Sequence, residues 1–122
     1  MKILLVDDDE ALLTIFETAF KKDGLEVVTA STGEDGLSKT KTEKPDIILL
    51  DQILPDISGN DVLKTLKQDD ATKNIPVMIL SNFSQQELVD KALEQGAVDY
   101  IFKYQVEPKD VVEKVRAILS KT

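Results

Sequence analysis

Apolar and polar residues follow two alternating patterns along the chain. Five short segments are rich in aliphatic residues, as in strands that are covered on both faces. These segments cover residues 2–6, 25–30, 46–50, 76–80 and 97–102. Between and after them, apolar residues recur every three or four positions, which is the spacing of one face of a helix. The pattern therefore predicts five strands that alternate with five helices.

Four of the five predicted helices have start or stop signals, and the third follows a loop rich in chain-breaking residues at 54–59. Three kinds of signal recur: a serine with a glutamate three residues later, a proline in the first turn, and a glycine after the last turn. With the apolar spacing, these signals predict a first helix from Glu10 to before Gly24 and a second over residues 33–42, with Ser31 and Glu34 as its capping box. The third helix is predicted over residues 60–68. The fourth runs from Ser84, with Glu87 in its capping box, to before Gly96, and the fifth begins at Pro108.

The alternation of strands and helices indicates an α/β fold. Right-handed crossovers between successive strands produce a doubly wound parallel sheet with helices on both faces. The common five-stranded solution is the flavodoxin-like (βα)5 fold with strand order 2-1-3-4-5. The chain has 122 residues and shows neither an internal repeat nor a linker. We therefore expect a single domain over residues 1–122 with no effector domain.

Composition narrows the possible chemistry. The chain contains no histidine and no cysteine, which excludes imidazole bases, thiolate metal sites and a disulfide framework. Its net charge of −8 argues against direct binding to nucleic acid, because that binding depends on clustered lysine and arginine. No apolar run resembles a membrane span or a signal-peptide core. We therefore expect a cytoplasmic protein without membrane contact.

Polar residues stand at the ends of four predicted strands. The carboxyl ends of parallel strands lie along one edge of the sheet, where ligands of such folds bind. These residues are Asp7 and Asp8 after strand one, Asp51 after strand three, Ser81 after strand four and Lys103 after strand five. Three neighbouring carboxylates repel one another, and a hard cation such as Mg²⁺ offsets that repulsion. A carboxylate nucleophile with a metal, a lysine and a hydroxyl can form an aspartyl phosphate.

With these residues in place, the chain resembles a response-regulator receiver domain of two-component signalling over essentially its whole length. The matching segments are ILLVDD at residues 3–8, DIILLD at 46–51, LPDISG at 54–59, PVMILS at 76–81 and the stretch from Gly96 to Lys103. The resemblance implies that Asp51 accepts a phosphoryl group from a phosphohistidine of a sensor histidine kinase or phosphotransfer protein. It also implies that Mg²⁺, or Mn²⁺ in its place, is held by Asp7, Asp8, Asp51 and the backbone carbonyl of Ile53.

The resemblance assigns roles to three further residues. Ser81 and Lys103 would bind phosphoryl oxygens, and Tyr100 would be the aromatic residue that changes its packing on phosphorylation. The surface made by helix four, strand five and helix five would then bind a downstream protein or a second copy of the chain. On this interpretation the chain is a signalling switch, with self-catalysed phosphoryl transfer and slow autodephosphorylation, and not an enzyme.

Two departures from the family pattern lead to predictions. Tyr104 follows Lys103, where receivers usually have a proline with a cis bond. Because a cis bond before a non-proline residue costs about 3 kcal/mol, we predict a trans bond there. Ile53 and Phe83 are apolar at positions that help to admit the hydrolytic water, so self-dephosphorylation should be slow. Asn82, where the family prefers a small residue, should restrict small phosphodonors.

Two other functions remain open at this point. A phosphatase or phosphotransferase of the haloacid-dehalogenase type would use Asp7 as its nucleophile in an Asp7-x-Asp9 pair, although Ala11 stands where threonine or a small β-branched residue is expected. A pseudo-receiver would bind proteins without being modified at Asp51. Dinucleotide and flavin binding are disfavoured, because the aspartates after strand one would repel a phosphate group.

Overall fold

The computed structural model describes residues 1–82 and 85–120, with Tyr104 described by its backbone alone. Within these residues five strands alternate with five α-helices. The strands are β1 (Lys2–Val6), β2 (Glu26–Ala30), β3 (Ile47–Asp51), β4 (Val77–Ser81) and β5 (Asp99–Phe102). The helices are α1 (Glu10–Lys22), α2 (Gly33–Glu43), α3 (Gly59–Gln68), α4 (Gln86–Glu94) and α5 (Pro108–Leu119), and a 3₁₀ turn (Lys103–Gln105) follows β5.

The strands form one parallel sheet in the order β2-β1-β3-β4-β5. In the register of the central pairs, Val6 of β1 lies beside Leu50 of β3, and Asp51 lies beside Leu80 of β4. The carboxyl ends of these three strands therefore share one edge. This confirms the predicted flavodoxin-like fold and its strand order.

The two faces of the sheet carry separate apolar layers, because successive side chains of a strand point to opposite faces. Helices α1 and α5 cover one layer, the α1/α5 face, with Phe16, Phe20, Val111 and Val115 buried. Helices α2, α3 and α4 cover the other, the α2/α3/α4 face, whose buried side chains include Val62, Leu63, Leu66 and Ala92. Coverage on both sides explains why β1, β3 and β4 contain unbroken aliphatic runs.

Helix α2 packs on the sheet through small residues. A β carbon added at Gly36 would lie 3.0 Å from a methyl group of Val6. The buried hydroxyl of Thr40 donates to the carbonyl of Gly36 within the helix, at 2.7 Å. Close approach of the backbone, rather than large apolar side chains, therefore holds α2 against β1.

Helix α2 begins at Gly33 as predicted, but its N-cap differs from the prediction by one residue. The sequence pattern indicated Ser31 as the cap, but it is the Thr32 hydroxyl that accepts from the N–H of Asp35, at 3.0 Å. The Asp56 carboxylate, in the loop after β3, accepts from the first two N–H groups of the helix at 2.8 and 2.9 Å. Because Asp56 satisfies these donors from a distant loop, the local pattern did not reveal this cap.

Strand β5 also begins later than predicted, at Asp99 rather than Ala97. The reason is that the N–H of Ala97 donates to the carbonyl of Ala92 at 3.0 Å and so belongs to the end of α4. The predicted start of helix four at Ser84 lies outside the described residues.

No peptide bond between fully described residues is cis, and the trans bond between Lys103 and Tyr104 stays a prediction. Among the helices described, none is long and apolar enough to cross a membrane.

Candidate functional site

Asp51 is the last residue of β3 itself, one position further than the predicted end of that strand. Its side chain is buried, with 7% exposed. A β carbon at Gly59, the first residue of α3, would lie 2.4 Å from the Asp51 carbonyl oxygen. Only glycine allows this close approach, which fixes the end of β3 against the start of α3.

Three carboxylates meet at this edge of the sheet. Asp7 and Asp8 follow β1, the neighbour of β3, and the carboxylate oxygens offered by Asp7, Asp8 and Asp51 all lie within 4.8 Å of one another. Asp7 is buried and accepts from the N–H of Asp9 at 2.9 Å, whereas Asp8 is exposed. The cluster therefore has two inner carboxylates and one that faces solvent, and it unites the three predicted acids.

Lys103 reaches both inner carboxylates. Its Nζ lies 2.8 Å from Asp7 Oδ2 and 3.3 Å from Asp51 Oδ1. Burial alone would lower the pKa of Lys103, but its hydrogen bond to Asp7 and the charges of Asp51 and Asp7 outweigh burial and raise that pKa. The side chain thus places a charged ammonium between the two acids.

One ammonium does not balance the two inner carboxylates. Burial, together with the negative charge of Asp7, raises the pKa of Asp51 to about 6, and Lys103 lowers it only in part. The cluster therefore keeps an excess of negative charge, presented by oxygen donors alone. This is the ligand chemistry that hard divalent cations such as Mg²⁺ prefer. The residues of the site accordingly fit the metal that the sequence predicts.

The other predicted site residues lie around this cluster in different environments. Ser81, the last residue of β4, is completely buried. Tyr100 in β5 is turned inward, and its ring centroid lies 5.7 Å from that of Phe102. Ile53 is half exposed and Asn82 is exposed, whereas Phe83 lies outside the described residues.

Two buried amides beside the site were not predicted from the sequence. Gln52 and Asn60 are 1% and 5% exposed, and they hydrogen-bond to each other next to Tyr100. One signal was available: Gln52 stands two positions after Leu50, so it continues the inward side of a strand with a polar residue. The position of its partner on α3 depends on the tertiary structure.

Comparison with known proteins identifies the family. The sequence-family model of the response regulator receiver domain matches residues 3–116 of this chain. The alkaline phosphatase synthesis transcriptional regulatory protein PhoP of Bacillus subtilis is 41% identical over 123 residues, which cover 99% of this chain and 49% of that protein. The chain spans about half the length of the curated relatives it matches.

Solved structures agree with this family in fold. A CheY-like response regulator receiver domain protein from Methanospirillum hungatei JF-1 has a TM-score of 0.92 at 31% identity, covering 98% of this chain and 94% of that one. The CheX-CheY-BeF3-Mg²⁺ complex from Borrelia burgdorferi has a TM-score of 0.88 at 27% identity, covering 97% and 88%.

Fold and site together define a parallel α/β domain with an acidic pocket at the carboxyl edge of its sheet. The chain belongs to the response regulator receiver domain family. Its cluster of Asp7, Asp8 and Asp51 is consistent with the phospho-accepting pocket of such domains.

Proposed function

We propose that Asp51 accepts a phosphoryl group from a phosphohistidine of a sensor histidine kinase or phosphotransfer protein. The observation that carries this proposal is the buried Asp51 carboxylate at the end of β3, with two further carboxylates and the Lys103 ammonium beside it. In the transfer an Asp51 oxygen forms a bond to phosphorus, the phosphorus–nitrogen bond breaks, and the leaving imidazole nitrogen takes one proton. The 122 residues contain no histidine, so the donor imidazole comes from outside them.

Two side chains are suited to stabilise the transferred group. The Lys103 ammonium is already held within 3.3 Å of Asp51 Oδ1, where it can pair with a phosphoryl oxygen instead. The Ser81 hydroxyl, at the end of the adjacent strand β4, can donate to a second phosphoryl oxygen. We assign both residues to binding the phosphoryl group, because charge and hydrogen bonds directed at the equatorial oxygens stabilise such a transfer.

We assign the metal site to Asp7, Asp8, Asp51 and the backbone carbonyl of Ile53, with Mg²⁺ as the ion and Mn²⁺ as a substitute. Bound Mg²⁺ supplies positive charge against the carboxylates and the phosphoryl oxygens. Asp8 is the exposed member of the cluster and therefore faces the side from which an ion arrives. Titration of the metal-free protein with Mg²⁺ should give saturable binding that Asp8→Asn weakens.

We further propose that phosphorylation changes the surface formed by α4, β5 and α5, and that this surface binds a downstream protein or a second copy of the chain. Leu93 and Val98, at the end of α4 and ahead of β5, expose 46% and 48% of their area, and partner surfaces commonly contain such apolar residues. The net charge of −8 favours a protein partner over nucleic acid. We place this exchange in the cytoplasm, with which the cysteine-free composition agrees.

The phosphorylated state should be long-lived, and the domain should act as a switch rather than as an enzyme with a separate substrate. Ile53 is half exposed beside the pocket, and its apolar side chain offers no hydrogen bond to an attacking water. Ile53→Asn should therefore speed the loss of phosphate from purified protein. A variant that loses phosphate no faster than the wild type would contradict this assignment of Ile53.

Locating the phosphorylated residue tests the proposed function. The protein is incubated with phosphoramidate and Mg²⁺, the acyl phosphate is reduced with borohydride, and peptide mass spectrometry identifies the modified residue. We expect modification at Asp51, none in Asp51→Asn, and faster modification in Asn82→Ala, where a small residue replaces an exposed amide.

Two outcomes would overturn the proposal. Modification at Asp7 would indicate phosphatase-type chemistry at the end of β1. No modification of either the wild type or Asn82→Ala would indicate a binding module that is not phosphorylated.

A further inference from the structure

A buried pair of amides connects the phosphoacceptor strand to Tyr100. Asn60 donates its backbone N–H to Gln52 Oε1 at 2.9 Å, and Gln52 Nε2 donates to Asn60 Oδ1 at 3.1 Å. Gln52 Nε2 also lies 3.5 Å from the Tyr100 hydroxyl oxygen. Gln52 is 1% exposed and Tyr100 is 8% exposed, so all three contacts are shielded from water.

The orientation of the Gln52 amide follows from its partners. A backbone N–H can only donate, so the Gln52 atom that faces Asn60 N is the oxygen and the other atom is the nitrogen. That nitrogen carries two hydrogens, for which Asn60 Oδ1 and the Tyr100 hydroxyl are the two neighbouring acceptors. If Tyr100 turned outward, Gln52 would lose one of these acceptors in a buried position, which is unfavourable.

The backbone of Gln52 is equally constrained on the side of the acceptor. Its backbone directly follows Asp51 in the chain, and its carbonyl accepts from the N–H of Gly59 at 2.7 Å. Gln52 therefore touches the acceptor through its backbone and Tyr100 through its side chain.

We infer that Gln52 is a positioning residue whose side-chain amide, oriented by Asn60, holds the Tyr100 hydroxyl inward and couples it to the backbone at Asp51. This inference rests on the proposed function, because it assigns the route by which modification of Asp51 reaches β5. The specific prediction is that the inward position of Tyr100 depends on the amide of Gln52 and not on apolar packing alone.

The test uses the two tyrosines of the chain, Tyr100 and Tyr104. Incorporation of 3-fluorotyrosine into a Tyr104→Phe background leaves Tyr100 as the one fluorinated residue for fluorine NMR. Gln52→Met keeps the side-chain length and removes the amide. We expect this substitution to move the Tyr100 resonance toward its position in the unfolded protein. The ratio of inward to outward Tyr100 should fall about fivefold, the factor that one typical hydrogen bond supplies.

Thr72→Val is the matched control. Thr72 is 2% exposed, and its hydroxyl donates to the carbonyl of Leu66 at 2.7 Å, at the far end of α3. This variant also loses one buried hydrogen bond, so it reproduces a general loss of stability. Because Thr72 lies beyond the C-terminal end of α3 and Asn60 in its first turn, the Tyr100 resonance should stay in place. If Gln52→Met does not fold, Gln52→Leu also removes the amide and should shift the Tyr100 resonance in the same direction.

Beryllofluoride with Mg²⁺ separates this inference from the proposed function. In the wild type its binding should shift the Tyr100 resonance. In Gln52→Met it should still bind, because Asp7, Asp51 and Lys103 are intact, but with a smaller shift at Tyr100. A Tyr100 resonance that responds in Gln52→Met as in the wild type, and has the same position before binding, would overturn the role of Gln52. Failure of the wild type to bind would instead overturn the proposed function.

Discussion

The two faces of the sheet are built differently. On the α1/α5 face, among the described residues, the buried side chains are apolar except at the site end, where Asp7 and Asp51 lie. The α2/α3/α4 face also has a large apolar layer, but besides Ser81 at the site end it buries polar side chains within it: Thr40, Gln52, Asn60 and Thr72.

The difference in buried polar residues indicates that the two faces have different roles. Apolar contacts are non-directional and tolerate small displacements, whereas a buried amide must keep its partners or lose its hydrogen bonds. A face with buried amides therefore has a few discrete arrangements, which a switch requires. We infer that the α1/α5 face provides stability and that the α2/α3/α4 face transmits the state of Asp51.

Truncation in the α1/α5 face should have the largest effect on stability. Phe20 is completely buried there, and Phe20→Ala should lower the free energy of unfolding by about 3–5 kcal/mol. Denaturant unfolding measures this loss. In the folded variant the Tyr100 fluorine resonance should stay in place, because Phe20 lies on the opposite face of the sheet. A shifted resonance would show that the two faces are not independent.

Asp51→Asn should change the free energy of unfolding in the opposite direction, that is, raise it, in metal-free buffer. The folded pKa of Asp51 is about 6, above its ordinary 3.8, so its contribution to stability is present below pH 3.8 and is lost as the pH rises through 6. Removing the charge should therefore raise the free energy of unfolding at neutral pH, by roughly 1–2 kcal/mol once solvent screening at the pocket is allowed for. Below pH 3.8 the difference from the wild type should vanish. Lower stability of Asp51→Asn than of the wild type at neutral pH would contradict the unfavourable effect of burial and of the Asp7 charge on this carboxylate.

The sequence alone could predict the fold and the grouping of the site residues, but not the electrostatics of the site. The aliphatic runs and the rule that strand ends share an edge were enough to predict the sheet and to bring Asp7, Asp8, Asp51 and Lys103 together. The raised pKa of Asp51 depends on burial and on distances of a few ångströms, which spacing along the chain does not contain.

Features made by distant segments were missed for a related reason. The Asp56 cap of α2 and the pairing of Gln52 with Asn60 join a loop to a helix, so no local pattern records them. The one-residue error at Ser31 has a different origin, because the neighbouring Thr32 is also a suitable N-cap residue and its hydroxyl accepts from the N–H of Asp35.

A smaller effect is expected at the C-terminus of α2. Lys44 is the C-cap residue and has a left-handed backbone, with φ of 48° and ψ of 59°, a conformation that is unfavourable for residues with a β carbon. Lys44→Gly should raise the free energy of unfolding by roughly 0.5–1 kcal/mol. Lys41→Gly, inside the same helix, should lower it. Equal signs for the two variants would contradict this explanation.

The most local effect is expected at Asp56. Hydrogen bonds from the N–H groups of Glu34 and Gly33 lower its pKa, so its contribution is present at neutral pH and is lost as the pH falls through that lowered pKa. Asp56→Ala should speed hydrogen exchange at these two amides and leave the α1/α5 face unchanged. Asp61→Ala, which removes an exposed acid from the first turn of α3, is the control and should leave both amides protected.

The central claim is that Asp51 is the phosphoacceptor of a metal-assisted pocket. The most direct measurement is fluorine NMR of beryllofluoride, a mimic of the phosphoryl group, titrated into the unlabelled wild type and into Asp51→Asn with and without Mg²⁺. We predict stoichiometric binding to the wild type only when Mg²⁺ is present, and no binding to Asp51→Asn. Equal binding to both proteins, or binding to neither, would contradict the claim.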